Sequence, residues 1–486
     1  MLPMSGQPVR LPFDGGRVVV AADGGLEFLV DGLGGVRCSV VGAQFTPVLV
    51  EPDVAEHEGT AGGLEVGQRV TAGEHCQLRW AIDVPEQLDD PGLVVQVEVG
   101  DRQLVWLWPS GADGLLVVLP RSGTGPVLAL HAVQAELRLA ESAGDSDPAT
   151  VVRLVVTPRD LGPGRQVVVL RALVLPTLLA AGSLLPAWFE SLTLEAGEEW
   201  TAPLADLGVD SEPPVELALT ERAAEIRLLA PAGRHRVGVH GRRGVTDLVF
   251  EVAPPIAALF SELAGVLGEV PVADGASAFV LHRALVSGAV SRTTAIEDAL
   301  DRFDWSSKPG ALAVAFGSER ALADGEPAMA REAQRRAAEL PPGLGRPRVR
   351  SLAWLVAAAL GLDALLALGA DPESELPDDR PVTGDAATSG EGVEADLALA
   401  RRSPLAVDGL AGAINALGAG LPGFPVGLGA VEQALLVGLL ESCPEDWPEA
   451  PLAGATAQAT RRRLLASYAA GRLTDPAPLA WLLVYG

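Results

Sequence analysis

The chain has 486 residues, which is too long for one ordinary hydrophobic core, so the sequence predicts two to four domains. Hydrophobic residues make up 48% of the chain and charged residues 20%, which excludes a wholly disordered protein. A net charge of -27 and a pI of about 4.6 oppose binding to phosphate backbones and anionic lipids, so we expect no nucleic-acid and no membrane partner.

Few residues of the chain fit the common cofactor and metal motifs. The one lysine, Lys308, follows a serine rather than a glycine, so the lysine-bearing phosphate loop is absent. Cys38, Cys76 and Cys443 are too scattered for a zinc site or a disulfide framework. The motifs G-x-S-x-G, H-E-x-x-H and C-x-x-C are missing too. We therefore expect no cofactor and no metal, although many enzyme classes remain open.

Two apolar stretches raise the question of a membrane segment. Residues 167–185 are interrupted by Arg171 and Pro176, which predicts a buried strand followed by a turn. Residues 352–369 are rich in alanine and include Asp363, whose charge would cost about 3 kcal/mol in a bilayer. A buried helix is therefore favoured there. Without a signal-peptide pattern at the N terminus, we expect a cytoplasmic protein.

Residues 1–183 predict a β-sandwich or barrel domain. Short runs of Val and Leu recur between Gly, Pro and Asp clusters, as in all-β proteins. The predicted strands are 17–20, 26–30, 48–50, 77–84, 114–119, 127–139, 150–156 and 166–174. Strands this frequent, with no long helical pattern between them, favour one or two sandwiches or barrels.

The clearest local feature is a predicted β-hairpin. Strands 93–99 and 102–108 flank Gly100 and Asp101, and glycine at the first central position favours a type II′ turn. In that register the face of Trp106 would also carry leucine and valine side chains of the first strand. We therefore expect Trp106 and its neighbour Trp108 to pack in the core rather than to form a stacking platform for a sugar.

Residues 184–255 predict a small Ig-like β unit. Its strands are expected at 189–194, 215–219, 225–229, 235–239 and 246–252. The turn and strand at 231–239 resemble the late turn-and-strand segment of many Ig-like sandwiches. That resemblance implies a second sandwich after the first.

Residues 256–486 predict a helical domain, because the apolar period changes after Pro254 and Pro255. Helices are expected at 256–267, 279–286, 326–340, 349–368, 431–440 and 453–470, and a capping box at 294–297 opens another. The segment 371–396 holds nine carboxylates against Arg380 alone and predicts an acidic mobile segment. The expected fold class is thus multidomain β + α, with N-terminal β-sandwich domains followed by an all-α C-terminal domain.

Candidate binding residues are basic or polar side chains in an otherwise acidic chain. Four lie in a basic cluster on a predicted strand and turn, where they could dock an anionic partner or the chain's own acidic segment, although a solvated hairpin is favoured. Two more lie in the helical half, where His282 could be a polar site residue but is favoured as a satisfied interior histidine. The candidates are Arg234, Arg236, His240, Arg242, His282 and Lys308. The catalytic residues, if any, are not identified by the sequence.

Four further patterns favour structural readings. The carboxylates of helix 294–304 point away from its apolar face, and the run 461–463 of three arginines is expected to face solvent. His57 lies in an acidic stretch that could hold a metal, but such stretches are common in so acidic a chain. Residues 418–423 match G-x-G-x-x-G, yet no strand is predicted before them, and Pro422 and Pro425 remove donors.

Two main functional hypotheses follow. The first is a non-enzymatic binding or scaffolding protein, with β-sandwich modules and a helical interaction domain, that binds a protein partner or self-associates. The alternative is a carbohydrate-active or other hydrolytic enzyme, with its site in the helical domain or at the β/α interface. A component of a bacterial defence system is a third possibility, which rests on composition alone. The sequence does not identify a small-molecule ligand.

Overall fold

The computed structural model shows a mixed β and α protein, with antiparallel sheets in the N-terminal part and helices in the C-terminal part. It describes residues 7–485 except 87–91, 109–110, 141–150, 159–162, 187–191, 204–207, 212–214, 221–224, 242–243, 269–271, 273, 307–309, 342 and 363–408. The predicted change from strands to helices near residue 255 is confirmed, because the last strand of the β part ends at Ala253 and a helix begins at Ile256.

The first 15 strands in the described residues build a large two-sheet unit. They are β1 (Val9–Phe13), β2 (Gly16–Val20), β3 (Leu26–Val30), β4 (Gly34–Val40), β5 (Gln44–Val50), β6 (Val54–Ala61), β7 (Leu64–Thr71), β8 (Cys76–Val84), β9 (Leu93–Glu98), β10 (Gln103–Leu107), β11 (Leu115–Pro120), β12 (Val127–Gln134), β13 (Glu136–Leu139), β14 (Val151–Thr157) and β15 (Gly164–Leu175). A 3-10 helix, Leu179–Leu184, follows them.

These strands form a seven-stranded and a nine-stranded sheet. The seven-stranded sheet has the order β1-β2-β3-β4-β9-β14-β13. The nine-stranded sheet has the order β23-β10-β11-β12-β15-β8-β7-β6-β5, in which the edge strand β23 (Phe424–Val426) comes from the helical half of the chain. The larger sheet is therefore extended by a segment more than 300 residues downstream of its neighbour β10.

The predicted hairpin at Gly100 and Asp101 is wrong. β9 pairs with β4 and β14, whereas β10 pairs with β11 and β23, so the chain crosses from one sheet to the other at this corner. Gln103 holds the corner: its amide oxygen accepts from the Gly100 backbone N–H at 2.8 Å, and its amide nitrogen donates to the Leu33 carbonyl at 2.8 Å. Turn residues alone do not distinguish this crossing from a hairpin.

The two tryptophans pack in a core, as predicted, but not with the residues expected. β10 is buried on both faces. Val105 and Leu107 point into the interior between the two sheets, while Trp106 packs on the other face with the helical half. Because β9 and β10 lie in different sheets, Trp106 and Trp108 do not share a face with the valines of β9.

Seven further strands form a small unit of two sheets. They are β16 (Thr193–Glu195), β17 (Trp200–Pro203), β18 (Gly208–Ser211), β19 (Glu216–Thr220), β20 (Glu225–Leu229), β21 (Gly233–Gly241) and β22 (Gly244–Ala253). The sheet orders are β16-β22-β21-β18 and β17-β20-β19, and β16 runs parallel to β22. β17 and β18 were missing from the sequence prediction because neither segment shows apolar alternation.

The described residues of the C-terminal half contain ten α-helices. They are α1 (Ile256–Gly268), α2 (Gly275–Val286), α3 (Thr294–Asp301), α4 (Ala311–Asp324), α5 (Pro327–Glu339), α6 (Arg346–Ala359), α7 (Gly409–Ala416), α8 (Ala430–Glu441), α9 (Ala450–Ala469) and α10 (Ala477–Tyr485). The capping box predicted at 294–297 is wrong by one position, since Thr293 is the N-cap and accepts from the Ile296 N–H. α4 and α10 were not predicted.

Apolar burial divides the molecule into two main cores. One fills the space between the two large sheets. The other joins the helices to the outer face of the nine-stranded sheet and to the interior of the small unit. Helix α9 crosses β22, β21 and β16, and this crossing positions the site described below. No helix in the described part of the chain combines the length and hydropathy that crossing a bilayer requires.

Candidate functional site

A cleft opens where α9 crosses the four-stranded sheet of the small unit. It has about 490 Å³ of empty space, including its open mouth. One wall is β16 and β22 with β21, the second is α9, and the third is the loop after α7. The lining residues are Leu192, Thr193, Arg234, Val249, Glu251, Leu417, Gly420, Leu421, Pro422, Gly423, Ala459 and Arg463.

Strand alternation places Glu251 in this cleft. Phe250 points into the interior of the small unit, so Glu251 points the other way, toward α9. Arg234 is its cross-strand partner on β21, and Arg234 Nε lies 3.8 Å from Glu251 Oε1. Because α9 covers this face, Glu251 is only 8% exposed, an unusual position for a carboxylate.

Arg463 of α9 faces the same cleft and is 8% exposed. Its Nη1 donates to the Gly423 carbonyl at 2.5 Å, and its Nη2 donates to Thr460 Oγ1 at 2.9 Å. Its Nε is buried and has no hydrogen-bond partner among the described residues. No ion pair joins Arg463 to Glu251. A buried guanidinium N–H without an acceptor costs free energy unless a ligand supplies one.

Burial dominates the electrostatics of the cleft. It raises the pKa of Glu251 above its ordinary value, although Arg463, Arg234 and Arg472 each act to lower it. Burial also lowers the pKa of Arg463 and of Arg234. The site thus combines a carboxyl of increased proton affinity with several guanidinium groups, and such perturbed clusters in clefts are typical of functional sites.

The loop of residues 418–423, which we call the glycine loop, forms one wall. A helix, α7, precedes it rather than a strand, which agrees with the prediction that it is not a dinucleotide fingerprint. A Cβ on Gly418 would lie 3.1 Å from Trp106 Nε1, and one on Gly423 would lie 2.8 Å from Trp106 Cζ2. Both positions need glycine because the loop rests on the indole, whose own N–H has no partner among the described residues.

The structure brings one predicted binding residue, Arg234, into the cleft. Arg236 and His240 lie on the same face of β21 but are exposed outside it, and His240 Nε2 lies 2.6 Å from Asp210 Oδ2. Arg242 and Lys308 are outside the described residues, as is the acidic segment 371–396.

His282 lies in the helical half, away from the cleft lining. It is 3% exposed on α2, with its ring edge-on to Phe316 at 5.6 Å between centroids. Burial lowers the pKa of His282 to about 4. On α4, burial raises the pKa of Glu319 to about 7, although Arg283 Nη2 is 2.8 Å from its carboxylate. Helices α2 and α4 therefore carry a second cluster of groups with shifted pKa values.

Two other features singled out in the sequence are His57 and the carboxylates of α3. His57 lies on β6, buried inside the large unit rather than on an acidic loop, and burial lowers its pKa. Within the described residues, no group of three His, Cys, Asp or Glu side chains could hold a metal ion. The carboxylates of α3 are exposed and Asp301 pairs with Arg320, as expected for a solvated face.

Sequence reasoning missed Glu251 and misplaced Arg463. Glu251 looks like an ordinary outward position of an alternating strand, and only coverage by α9 buries it. The prediction that residues 461–463 all face solvent is wrong for Arg463. A helical wheel offers the one available signal, because Arg463 follows Thr456 and Thr460 by seven and three residues on a buried face.

No family model and no curated protein matches the chain. Among solved structures, a polysaccharide lyase is similar with a TM-score of 0.53 and 9% sequence identity, over 96% of this chain and 82% of that chain. A glycoside hydrolase of family 81 from Clostridium thermocellum aligns over 94% of this chain and 85% of that chain at 9% identity, with a TM-score of 0.22. The first similarity shows a shared fold.

The comparison corrects the first functional hypothesis. We expected a non-enzymatic binding or scaffolding protein, and that reading was wrong. The chain shares its fold with a protein described as a polysaccharide lyase, which favours the alternative, a carbohydrate-active or other hydrolytic enzyme, over the scaffolding hypothesis.

Proposed function

We propose that this protein is a carbohydrate-active enzyme of the lyase type, which cleaves an acidic polysaccharide in the cleft between the small unit and α9. The observation that carries the proposal is a buried carboxyl, Glu251, beside two arginines, of which Arg463 has a buried Nε–H that meets no acceptor in the described part of the chain. The fold shared with a polysaccharide lyase supports the substrate class.

The number of carboxyl groups favours elimination over hydrolysis. Most glycoside hydrolases place two carboxyl groups about 5–9.5 Å apart on either side of the bond that they cleave. Among the described lining residues, Glu251 is the one carboxyl, and the other ionisable groups are arginines. A single proton acceptor beside cations suits abstraction of a proton next to a substrate carboxylate.

The residues of the cleft can perform such a step. Ionised Glu251 takes the proton from the ring carbon that bears the substrate's carboxylate, and Arg463 and Arg234 stabilise the negative charge that develops there. The electron pair of the C–H bond forms a C=C bond, the glycosidic C–O bond breaks, and the leaving oxygen takes the proton that Glu251 removed from carbon. The raised pKa of Glu251 makes it a stronger base than an ordinary glutamate.

The composition of the cleft wall favours a charged sugar. None of the described lining residues is aromatic, so the cleft offers no ring on which a neutral sugar could stack. Guanidinium groups bind carboxylates by paired, charge-assisted hydrogen bonds. Recognition in this cleft therefore depends on charge.

The proposal is tested with polygalacturonate, alginate and hyaluronan, each compared with its carboxyl-reduced counterpart. We expect one of the acidic polymers to yield an unsaturated, ultraviolet-absorbing product and its reduced form to yield none. Arg234→Gln should raise KM, while Arg236→Gln, two residues along the same strand and outside the cleft, should not. New reducing ends without an unsaturated product would show hydrolysis, and inertness toward all three polymers would contradict the proposal.

The small unit itself supports the Ig-like assignment proposed for residues 184–255. Its seven strands divide into sheets of four and three, β16-β22-β21-β18 and β17-β20-β19. Ig-like sandwiches of the constant type likewise divide seven strands between packed sheets of four and three. In this assignment the cleft lies on the outer face of the larger sheet.

A further inference from the structure

Arg463 is restrained by two hydrogen bonds although a buried carboxyl lies beside it. Gly423 and Thr460 take up the two terminal nitrogens of the guanidinium, at 2.5 and 2.9 Å. Thr460 is 0% exposed, so its hydroxyl is fixed within the protein. Arg463 makes no ion pair with Glu251, yet it is the charge with the largest effect on that carboxyl.

An unrestrained arginine at this position would form a different contact. Guanidinium and carboxylate groups in a buried setting attract each other strongly and form paired hydrogen bonds. Such a pair would neutralise Glu251 as a base and would occupy the Nε–H of Arg463. The observed contacts prevent both effects.

We infer that Thr460 is a positioning residue: with the Gly423 carbonyl, its hydroxyl holds the Arg463 guanidinium away from Glu251, which leaves the carboxyl free for proton transfer and the Nε–H free for a substrate carboxylate. The role of Thr460 in proton transfer rests on the function proposed above, whereas its effect on the position of the Arg463 guanidinium does not. Arg463 then serves as the specificity-determining residue of the cleft.

The other charges around Glu251 do not replace this restraint. Arg234 lies on β21 with its Nε 3.8 Å from Glu251, and Arg472 follows α9. On the side of β16, Arg462 already binds Glu195 at 3.0 Å and Glu198 at 3.3 Å. Among the described groups, Arg234 already forms a 3.8 Å ion pair with Glu251, so the hydrogen bonds of Arg463 decide whether a second, closer pair forms.

The test compares Thr460→Val, Thr460→Ser and the control Thr456→Val. Thr456 is buried one turn earlier on α9, and its hydroxyl donates to the Leu452 carbonyl instead of contacting Arg463. In Thr460→Val we expect Arg463 to turn toward Glu251. The acidic limb of the pH–rate profile should then move down by about one pH unit, and KM should rise about tenfold. Thr460→Ser should restore both, and Thr456→Val should change neither.

A titration without substrate separates this inference from the proposed function. The carboxyl carbon of Glu251, labelled with 13C and assigned by its loss in Glu251→Gln, should titrate at lower pH in Thr460→Val than in the parent or in Thr460→Ser. An unchanged titration in Thr460→Val would overturn the inference even if the enzyme is active. The expected titration shift in a protein that cleaves no polysaccharide would overturn the proposed function alone.

Discussion

His282 and Glu319 show how burial acts at the scale of single residues. Both lie among packed helices, and burial moves their pKa values in opposite directions because it disfavours the charged form of each group. The pKa of His282 falls from 6.5 to about 4, and that of Glu319 rises from 4.5 to about 7. At neutral pH the histidine is therefore neutral, and the glutamate is close to half protonated.

The two groups should affect stability with opposite signs. Between pH 6.5 and 4 the unfolded chain binds a proton at His282 that the folded state does not, so stability falls as pH falls. Between pH 4.5 and 7 the folded state holds the proton of Glu319, so stability falls as pH rises. Each effect amounts to about 3 kcal/mol at most.

Urea unfolding across this pH range checks the prediction. Relative to the parent, His282→Asn should gain in free energy of unfolding as pH falls from 6.5 to 4, and Glu319→Gln should gain as pH rises from 4.5 to 7. If both variants track the parent with a constant offset, the pKa shifts assigned to these residues are wrong.

Only some of the residues of the cleft could be identified from the sequence. Arg234 could be selected because it lies in the densest basic cluster of an acidic chain. Glu251 and Arg463 could not, because their burial depends on a contact between segments more than 200 residues apart. The outward position of a strand and a run of arginines both look solvated until α9 is placed on the sheet.

At the scale of elements, most strands and helices could be predicted because their apolar periods are clear. The alternation in β8 and the proline at the start of α5 gave correct elements. Connections were less certain. Gly100 and Asp101 suit a tight turn. The sheet that the next strand joins, however, depends on contacts with residues that are distant in the sequence, such as Leu33, and the local sequence does not reveal them.

A substitution in the glycine loop should lower both stability and turnover. Gly423 has a φ of +122°, and a Cβ there would lie 2.5 Å from the Leu107 carbonyl oxygen. Gly423→Ala should therefore lower the free energy of unfolding by about 2 kcal/mol. It should also reduce turnover, because the Gly423 carbonyl holds Arg463.

Gly454 provides the matched control for chemical denaturation. It lies inside α9, where an added Cβ would meet no atom within 4 Å. Gly454→Ala should raise the free energy of unfolding by about 0.5–1 kcal/mol through its higher helix propensity. Equal destabilisation by both substitutions would contradict the close packing assigned to the glycine loop.

At the scale of the whole molecule, the cleft exists because the two halves of the chain pack together. β23 adds an edge to the large sheet directly before α8, and Asn415 at the end of α7 donates to the Gly123 carbonyl at 2.6 Å. These contacts fix the glycine loop on the large unit, from which it faces the cleft. The apolar period could predict a β half and a helical half, but not the surface on which they meet.

Glu251 is proposed to transfer a proton in this cleft, and the turnover of Glu251→Gln tests this role. On the acidic polymer that the parent cleaves, we predict a fall in kcat of about a hundredfold or more, with binding of the polymer retained. Glu195→Gln, a nearby exposed glutamate that pairs with Arg462, should keep the parent rate. Turnover by Glu251→Gln equal to that of the parent would show that Glu251 is not the base.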